Sequence, residues 1–222
     1  MRVLGLSLVN SLHIYKDEVY QWTHSLPSGH YLTAIVNSIF VNLAFCSVWQ
    51  IAFKSYTYKF ARSFWRKCGI VAYGDDHLVS ISKSCLSKFN QNTMKDLMKQ
   101  IGLSYTLETK DDHVEADSRK IEQVSYLKRG FQFSVDHNRY ICPLELSVIL
   151  EFPMWNHKCP DPRIQTIVEL DKAIEELSLH YEFVWNKWWP VLNECCESLG
   201  HYTDLKEQKD VRNIALGQKE FL

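Results

Sequence analysis

The sequence lacks a strong overall charge, since 25 lysines and arginines are balanced by 26 aspartates and glutamates to a net charge of −1. No chain-wide field therefore marks the protein as a nucleic-acid binder, and any such site must be local. It also lacks CxxC pairs, and its cysteines number seven, which is odd. This pattern favours free thiols in a reducing compartment over a disulfide framework or a zinc site.

Internal repeats, low-complexity linkers and uninterrupted hydrophobic runs are missing as well. Residues 34–53 are nearly long enough to span a bilayer, but the run contains Asn37, Asn42 and Gln50, which favours a buried helix. The first ten residues show no cleavage-site pattern, so we expect neither a signal peptide nor a transmembrane segment. A hydrophobic share of 46% and an aromatic share of 13% predict a folded chain with ample core.

The most informative stretch covers residues 70–81, where two apolar, β-branched runs flank Gly74, Asp75 and Asp76. This pattern predicts a β-hairpin with both carboxylates at its exposed tip. Two such charges about 4 Å apart repel by roughly 4 kcal/mol at an effective dielectric near 20, unless a cation lies between them. A divalent cation that prefers oxygen ligands is the candidate, and a solvated surface turn is the alternative.

A helix is predicted upstream of this hairpin, from about His30 to Ala52, after a turn-forming cluster at residues 26–30. Thr33 and Asn37 are four residues apart and share one line of that helix. Asparagine is a poor helix former, so its presence calls for a reason, although two ordinary polar residues remain the alternative. The apolar positions expected to form the buried face are Leu32, Ile35, Val36, Ile39, Phe40 and Leu43.

Residues 54–67 mix basic and aromatic side chains, which is what single-stranded nucleic-acid binding needs. A solvated helical face explains the same composition equally well. Downstream of the hairpin, helical spacing over residues 86–101 predicts a helix that ends at Gly102. Residues 124–133 then predict a second hairpin, with Lys128 and Arg129 near its bend.

Helices dominate the pattern from about residue 143 onward. Asp161 and Pro162 predict a helix start, with aspartate as the N-cap and proline in the first turn. We expect the following apolar stripe to be interrupted at Pro190, a shorter helix to stop at Gly200, and a last helix over residues 204–215. The chain thus divides into an α+β part and a helical part that meet near residue 140.

These stretches together resemble the C-terminal half of a positive-strand RNA virus RNA-dependent RNA polymerase, especially the picornavirus-like enzymes of the dicistrovirus and iflavirus group. Four ordered motifs carry the resemblance: motif B at residues 28–38, motif C at residues 73–76, motif D at the helix before Gly102 with Lys110, and motif E at residues 126–129. A lone Gly-Asp-Asp is weak evidence, whereas four motifs in family order and spacing are strong.

The resemblance implies an α+β fold, the palm subdomain of a right-hand polymerase with an antiparallel sheet and packed helices, followed by an all-helical thumb. Residues 1–26 would connect fingers and palm, residues 27–139 would form the palm, and residues 140–222 would form the thumb. The implied function is template-directed nucleotidyl transfer from NTPs to the RNA 3′ end during viral genome replication, through two divalent metal ions.

Each motif then implies a role for its residues. Asp75 would be the main metal ligand and Asp76 a secondary ligand or an electrostatic neighbour, for Mg²⁺ or for Mn²⁺ as a substitute. Ser28, Gly29, Thr33 and Asn37 would surround the ribose of the incoming NTP.

Two further roles follow from the resemblance. Lys110 would protonate the departing pyrophosphate, and Lys128 with Arg129 would hold the backbone of the RNA primer. A solvated loop lysine and a surface hairpin with a basic bend are the corresponding alternatives.

One departure from the family pattern matters most. No Asp-x4-Asp of motif A precedes Ser28, and the basic motif F is absent too. We therefore expect a partial sequence of a larger polyprotein that does not synthesise RNA without the missing N-terminal fingers and palm. Expected partners are the RNA template-primer, NTPs, that N-terminal part and other viral replication proteins, at membrane-associated replication complexes in the host cytoplasm.

Three other functions stay open at this point. A reverse transcriptase also carries a Tyr-x-Asp-Asp hairpin, although the Ser28, Thr33 and Asn37 set favours ribonucleotides. A non-catalytic, RNA-binding remnant of a viral polymerase would keep the motifs without the activity. A plain α+β structural domain is the third alternative, and the four ordered motifs argue against it.

Overall fold

The computed structural model describes residues 11–22, 29–107, 116–155, 159–202 and 207–217. The chain divides into two units, Met1–Ser118 and Arg119–Leu222. That division lies earlier in the chain than the composition change near residue 140. The assignment of palm and thumb boundaries stays a prediction, and each unit is described by itself below.

The first unit combines two hairpins with helices. β1 (Ser11–Tyr15) pairs antiparallel with β2 (Glu18–Trp22), and β3 (Cys68–Tyr73) pairs antiparallel with β4 (Asp76–Ile81). The helices are α1 (Thr33–Phe53), α2 (Tyr58–Ala61), α3 (Phe64–Lys67) and α4 (Gln91–Lys99), and Lys83–Cys85 form a 3-10 turn. The alternating pattern of residues 3–6 also suggests a strand, and these residues lie outside the described ones.

Helix α1 forms where it was predicted, but the predicted buried face was wrong. Its C-terminal half carries the buried side chains Ala44, Phe45, Val48 and Trp49. Most of the apolar positions expected to be buried are exposed: Ile35, Val36, Ile39, Phe40 and Leu43. The helix is apolar on nearly all sides, so periodicity alone could not select the face that packs.

Helix α1 is also the one described helix that is long and apolar enough to cross a membrane, judged by length and composition alone. A core helix of a soluble protein meets the same two conditions. The expectation of a buried helix therefore holds for the C-terminal half of α1, which lies in the core.

The core of the first unit is built around Trp49. Its ring centroid lies 4.5 Å from that of Phe53, 5.9 Å from those of Phe60 and Phe64, and 5.2 Å from that of Phe89. Stacked, tilted and edge-to-face pairs of this kind add to the free energy of burying the rings. The aromatic cluster therefore joins α1, α2 and α3 to the turn that precedes α4.

Helix α4 begins later than predicted. The side chain of Asn90 accepts hydrogen bonds from the backbone N–H groups of Asn92 and Thr93, and the Thr93 hydroxyl accepts from Asn90 N–H. This reciprocal cap fixes the first helical residue at Gln91 and leaves the preceding residues in turns. The predicted end is confirmed, because the chain leaves the helix through Gly102 at a φ of 78°.

The second unit has one short ladder and then helices. Its 3-10 turns are Ile121–Gln123 and Phe152–Met154, and β5 (Gln132–Ser134) pairs antiparallel with β6 (Arg139–Ile141). The helices are α5 (Leu146–Glu151), α6 (Pro162–Ser178), α7 (Glu182–Ser198) and α8 (Gln208–Ala215). The predicted start of α8 falls partly on residues 203–206, outside the described residues.

The second predicted hairpin is confirmed only at its bend. Tyr126 and Arg129 exchange both backbone hydrogen bonds, so Leu127 and Lys128 form a two-residue turn. The following residues do not pair back across that bend. Instead, the strand Gln132–Ser134 pairs with Arg139–Ile141. The turn needs left-handed residues, and Leu127 and Lys128 adopt φ values of 52° and 63°.

The predicted start of helix α6 is confirmed, since the Asp161 side chain accepts from the N–H groups of Arg163 and Ile164. The predicted interruption at Pro190 was wrong, because Pro190 lies inside α7. Trp185, Leu192 and Cys196 are buried at helical spacing on either side of the proline. Packing of this continuous face compensates for the hydrogen bond that proline removes.

The C-terminal end of α6 is capped by side chains from elsewhere in the second unit. Arg212 donates to the carbonyl groups of Ser178 at 2.7 Å and His180 at 2.8 Å. Gln208 donates to the same two carbonyls at 3.0 and 2.6 Å, and Gln132 donates to the carbonyl of Leu179. These donors satisfy carbonyl groups that have no partner within the helix. Burial lowers the pKa of Arg212 from its ordinary value.

Replacing Arg212 by methionine should destabilise the protein by about 2 kcal/mol, because two half-buried carbonyl groups lose a charged donor. Urea unfolding followed by circular dichroism measures this free energy. Lys209→Met is the control, since Lys209 is an exposed residue of the same helix. Equal effects of the two substitutions would show that the cap does not stabilise the fold.

Candidate active site

The two predicted metal-binding carboxylates lie at the tip of the β3–β4 hairpin. Tyr73 pairs with Asp76, which leaves Gly74 and Asp75 as a two-residue turn. Gly74 has a φ of 67°, and a left-handed first turn residue is typical of the tight turns that join twisted strands. The side chains of Asp75 and Asp76 are both exposed. The sequence prediction of an exposed hairpin tip is therefore confirmed.

Ser38 connects helix α1 to this turn. Its hydroxyl accepts a hydrogen bond from the backbone N–H of Gly74 at 2.9 Å. The single hydroxyl hydrogen is directed to the carbonyl groups of Ala34, at 2.7 Å, and Ala72, at 3.3 Å. A side chain of helix α1 thus fixes the Gly74 turn, a contact that sequence reasoning missed. The sequence offered one indication of this role, because Ser38 directly follows the predicted site residue Asn37.

His77 holds the other side of the turn. Its Nδ1 lies 2.8 Å from the carbonyl oxygen of Asp75, and its Nε2 lies 3.3 Å from the hydroxyl of Tyr105. A carbonyl can only accept, so Nδ1 carries the hydrogen, and the Nε2 of a ring protonated at Nδ1 alone can accept from the Tyr105 hydroxyl. The ring also meets Phe45 edge-on at 4.9 Å. Sequence reasoning missed His77 and Tyr105, although His77 adjoins the two aspartates.

Three of the four predicted ribose-binding residues are described, and Ser28 lies outside the described residues. Gly29 has a φ of 111°, a backbone conformation that side-chain-bearing residues rarely adopt. Thr33 and Asn37 are half-buried in successive turns of α1. Asn37 adjoins Ser38, so the helix turn that carries it is the one fixed to Gly74.

The remaining predicted site residues belong to other parts of the chain. Lys110 lies outside the described residues, and Lys128 and Arg129 belong to the second unit. The ammonium of Lys128 is 3.4 Å from Glu145, and both side chains are half or more exposed. Hydrogen bonds from Ser147 first, and then from Lys128, lower the pKa of Glu145.

Arg129 is bound more firmly than Lys128. Its guanidinium donates two parallel hydrogen bonds to Glu176, at 2.9 and 2.6 Å, and another to the carbonyl of Cys142 at 2.9 Å. Paired donors of this kind match the fork of a carboxylate, and they raise the pKa of Arg129 from its ordinary value. Within the second unit, Arg129 thus ties the 126–129 bend to helix α6.

The donor set at the hairpin tip fits Mg²⁺ better than a softer metal. Asp75 and Asp76 offer hard carboxylate oxygens, and Mg²⁺ is often held by one or two carboxylates together with water and substrate phosphates. Within the described ranges, no three histidine, cysteine or acidic side chains gather into a closed metal cluster. Burial raises the pKa of the Cys196 thiol to about 11, which disfavours its thiolate.

Comparison with known proteins identifies what the chain is similar to. The family model described as "Viral RNA-dependent RNA polymerase" matches residues 2–190. The replicase polyprotein of Acute bee paralysis virus (strain Rothamsted) is 34% identical over 199 residues, and that of Drosophila C virus (strain EB) is 33% identical over 181 residues. These alignments cover 86% and 80% of this chain but 10% of each relative.

A solved structure shows the same fold. The Sicinivirus 3Dpol RNA dependent RNA polymerase superposes with a TM-score of 0.69 at 17% identity, covering 96% of this chain and 42% of that chain. The predicted α+β polymerase fold is therefore confirmed. The chain spans about a tenth of the length of the curated relatives it matches.

Removing the Ser38 hydroxyl should loosen the hairpin tip. Ser38→Ala leaves the Gly74 N–H without its acceptor, so we expect a loss of about 1–2 kcal/mol of stability and faster hydrogen exchange at that amide. Ser47→Ala is the matched control, because Ser47 also donates to the carbonyl four residues earlier but forms no hydrogen bond with the hairpin in the described part of the chain. An unchanged Gly74 exchange rate in Ser38→Ala would contradict this connection.

Proposed function

Because the chain belongs to the viral RNA-dependent RNA polymerase family, we propose that it carries part of an active site that extends RNA on an RNA template. The observation that carries this proposal is the hairpin tip, where two exposed carboxylates are held on a turn fixed by Ser38 and His77. The tip lies inside the region that the family model matches.

The chain's own residues contribute to the chemistry by holding and orienting the carboxylates that would bind a metal ion. Asp75 and Asp76 would bind Mg²⁺, which when bound lowers the charge on the attacking 3′-oxygen and the leaving pyrophosphate. Ser38 and His77 bind backbone atoms of the turn, so the carboxylates keep their oxygens free for a ligand. A turn that is rigid before the substrate arrives loses little entropy on binding it.

Selection of the sugar is assigned to the loop and first turns of α1. Ser28, Gly29, Thr33 and Asn37 would surround the incoming ribose, where short uncharged side chains can exchange hydrogen bonds with the 2′-hydroxyl. The support is positional, because Asn37 adjoins the serine that contacts the motif C turn. A reverse transcriptase would not need such a set.

The basic residues complete the proposal. Lys110 would donate a proton to pyrophosphate, and the 126–129 bend would contact the primer backbone. Of the two bend residues, Lys128 has the more exposed side chain, at 71% against 37% for Arg129. Lys128 is thus proposed to contact phosphate, while Arg129 supports the bend through its pair with Glu176.

The relatives support a proposal for the biological setting. Replicase polyproteins are among the proteins that match this chain, and this supports placing it within a longer viral protein that uses NTPs and an RNA template-primer. Its partners would include the rest of that polymerase and other replication proteins. The host cytoplasm, at membrane-associated replication complexes, is the proposed location.

Asp75→Ala, in a polymerase that contains this chain, should reduce templated RNA synthesis roughly 100-fold or more, because several kcal/mol of charge stabilisation are lost. Primer extension with Mg²⁺ measures this rate. Asp96→Ala is the control, since Asp96 is an exposed acid of α4 in the same unit. Full activity of Asp75→Ala would remove the hairpin tip from the active site, and no activity in any version would favour a non-catalytic remnant.

Asn37→Ala should narrow the preference for NTPs over dNTPs, roughly tenfold, because one polar contact near the 2′-hydroxyl is lost. The ratio of kcat/KM values for the two substrates measures this preference. Asn42→Ala serves as the comparison, since the Asn42 amide donates to the Ser38 carbonyl at 2.7 Å and has no assigned sugar role. If both substitutions changed the ratio equally, Asn37 would act through the helix and not on the sugar.

A further inference from the structure

One short segment of the first unit carries several positive charges and no negative charge. Residues 54–67 contain five lysines and arginines and no acidic residue. The surrounding sequence is equally one-sided, since no aspartate or glutamate occurs between Glu18 and Asp75. In a chain with a net charge of −1, this segment is a local basic feature that the proposed active site does not use.

All five of these cations are exposed to solvent: Lys54, Lys59, Arg62, Arg66 and Lys67. Among the residues that the structure describes, none of them forms an ion pair with an acidic side chain. This contrasts with Arg129, whose charge is committed to Glu176. An unpaired cluster of like charges repels itself, and an anionic ligand relieves that repulsion.

The aromatic side chains of the segment point in two directions. Phe64 is fully buried and Phe60 partly so, and both pack on Trp49, whose indole N–H lies 3.2 Å from the Ser63 hydroxyl. These contacts anchor the two short helices α2 and α3 to the core. The segment is therefore a fixed part of the fold and not a free tail.

Three other rings face solvent. Tyr56, Tyr58 and Trp65 are exposed by 71%, 78% and 54%. The guanidinium of Arg62 lies 5.8 Å from the centroid of the Tyr58 ring. Exposed rings of this size cost hydrophobic free energy unless a ligand covers them, and flat aromatic faces are what unpaired bases stack on.

This surface is separate from the carboxylates. Strand β3 begins directly after Lys67, and Gly74 follows its other end. Six strand residues at about 3.3 Å each place the two ends roughly 20 Å apart. A ligand bound at residues 54–67 therefore occupies a different place from a substrate bound at Asp75.

We propose that residues 54–67 form a binding surface for single-stranded RNA. The five cations contact phosphates, and Tyr56, Tyr58 and Trp65 stack on bases, a combination that tolerates many sequences. The choice of RNA over single-stranded DNA rests on the proposed function. The surface keeps a strand attached to the protein at a distance from the hairpin tip.

An anionic membrane is the competing partner for basic and aromatic residues. Membrane-bound helices bury a continuous apolar face among the lipids. Here α2 and α3 are four residues each, and the exposed large apolar side chains of the segment are the three rings alone. Rings interleaved with cations on short turns favour bases and phosphates over lipid chains.

The charge test compares two triple variants of the 222-residue chain, with fluorescence anisotropy of a labelled twelve-nucleotide oligouridylate in EDTA. The patch variant is Lys59→Gln, Arg62→Gln and Arg66→Gln. The control variant, with the same change in charge, is Arg139→Gln, Lys187→Gln and Lys209→Gln, three exposed cations of the second unit. We expect the patch variant to lose affinity at least tenfold and the control less than twofold.

Salt dependence gives a second readout of the same variants. Each phosphate contact on a single strand contributes about −0.7 to the slope of log K against log salt, so losing three should flatten the slope by about 2. An equal slope change in the control variant would show diffuse attraction across the whole surface and would overturn the proposal.

The stacking test replaces rings without changing charge. Tyr58→Ala with Trp65→Ala should weaken binding roughly tenfold per ring. Tyr181→Ala with Phe183→Ala is the matched control, because these rings are 58% and 72% exposed in the second unit. Loss of RNA affinity in the Tyr181 and Phe183 variant, but not in the Tyr58 and Trp65 variant, would overturn the assignment of the stacking surface.

Two further comparisons separate this proposal from membrane binding and from the proposed polymerase function. The first comparison measures binding to vesicles of phosphatidylcholine with 30% phosphatidylserine. If the patch variants lose vesicle binding and keep their RNA binding, the surface binds membrane and the proposal is overturned. Because EDTA removes divalent ions, RNA binding is read without catalysis. If the polymerase is inactive but its patch variants lose RNA affinity, the proposed function alone is refuted. If the polymerase is active and its patch variants bind RNA with unchanged affinity, the RNA-binding surface alone is refuted.

Discussion

The aromatic packing of Trp49 fixes helix α1, and the hairpin tip and the basic surface both take their positions from that helix. At the C-terminal end, Trp49 binds Phe60, Phe64 and Ser63 and so holds the segment that carries the cations. Nearer the N-terminus, Ser38 binds the Gly74 amide. Eleven residues of α-helix between these two points span about 16 Å, so the two contacts are well separated along α1.

At the hairpin tip, backbone contacts and side-chain chemistry are divided between different residues. Ser38 and His77 bind the backbone of the turn, and Tyr105 orients the His77 ring. The carboxylates of the consecutive residues Asp75 and Asp76 both stay exposed, and such hard oxygen ligands suit a divalent cation. The turn is therefore built to present negative charge, and the residues that shape it are not those that would bind the ligand.

The two units use basic side chains in opposite ways. In the second unit, Arg129 and Arg212 bind carboxylate or carbonyl oxygens within the fold, so their charges stabilise the structure. In the first unit, the cations of residues 54–67 have no acidic partner among the described residues. Although the net charge of the chain is near zero, the surface formed by residues 54–67 is suited to an anionic partner.

Local sequence signals determined a large part of this protein. The Gly74 turn, the Asp161 cap and the helix over residues 33–53 follow from interactions within a few residues, and the ordered motifs identified the family before any coordinates. The tertiary structure alone decided which face of α1 is buried, that α7 continues through Pro190, and that His77 meets Tyr105 and Arg129 meets Glu176. Those partners lie 28 and 47 residues apart in the chain. Only packing selects among many such distant pairings, because periodicity and capping report each residue's near neighbours and not the surface that finally covers it.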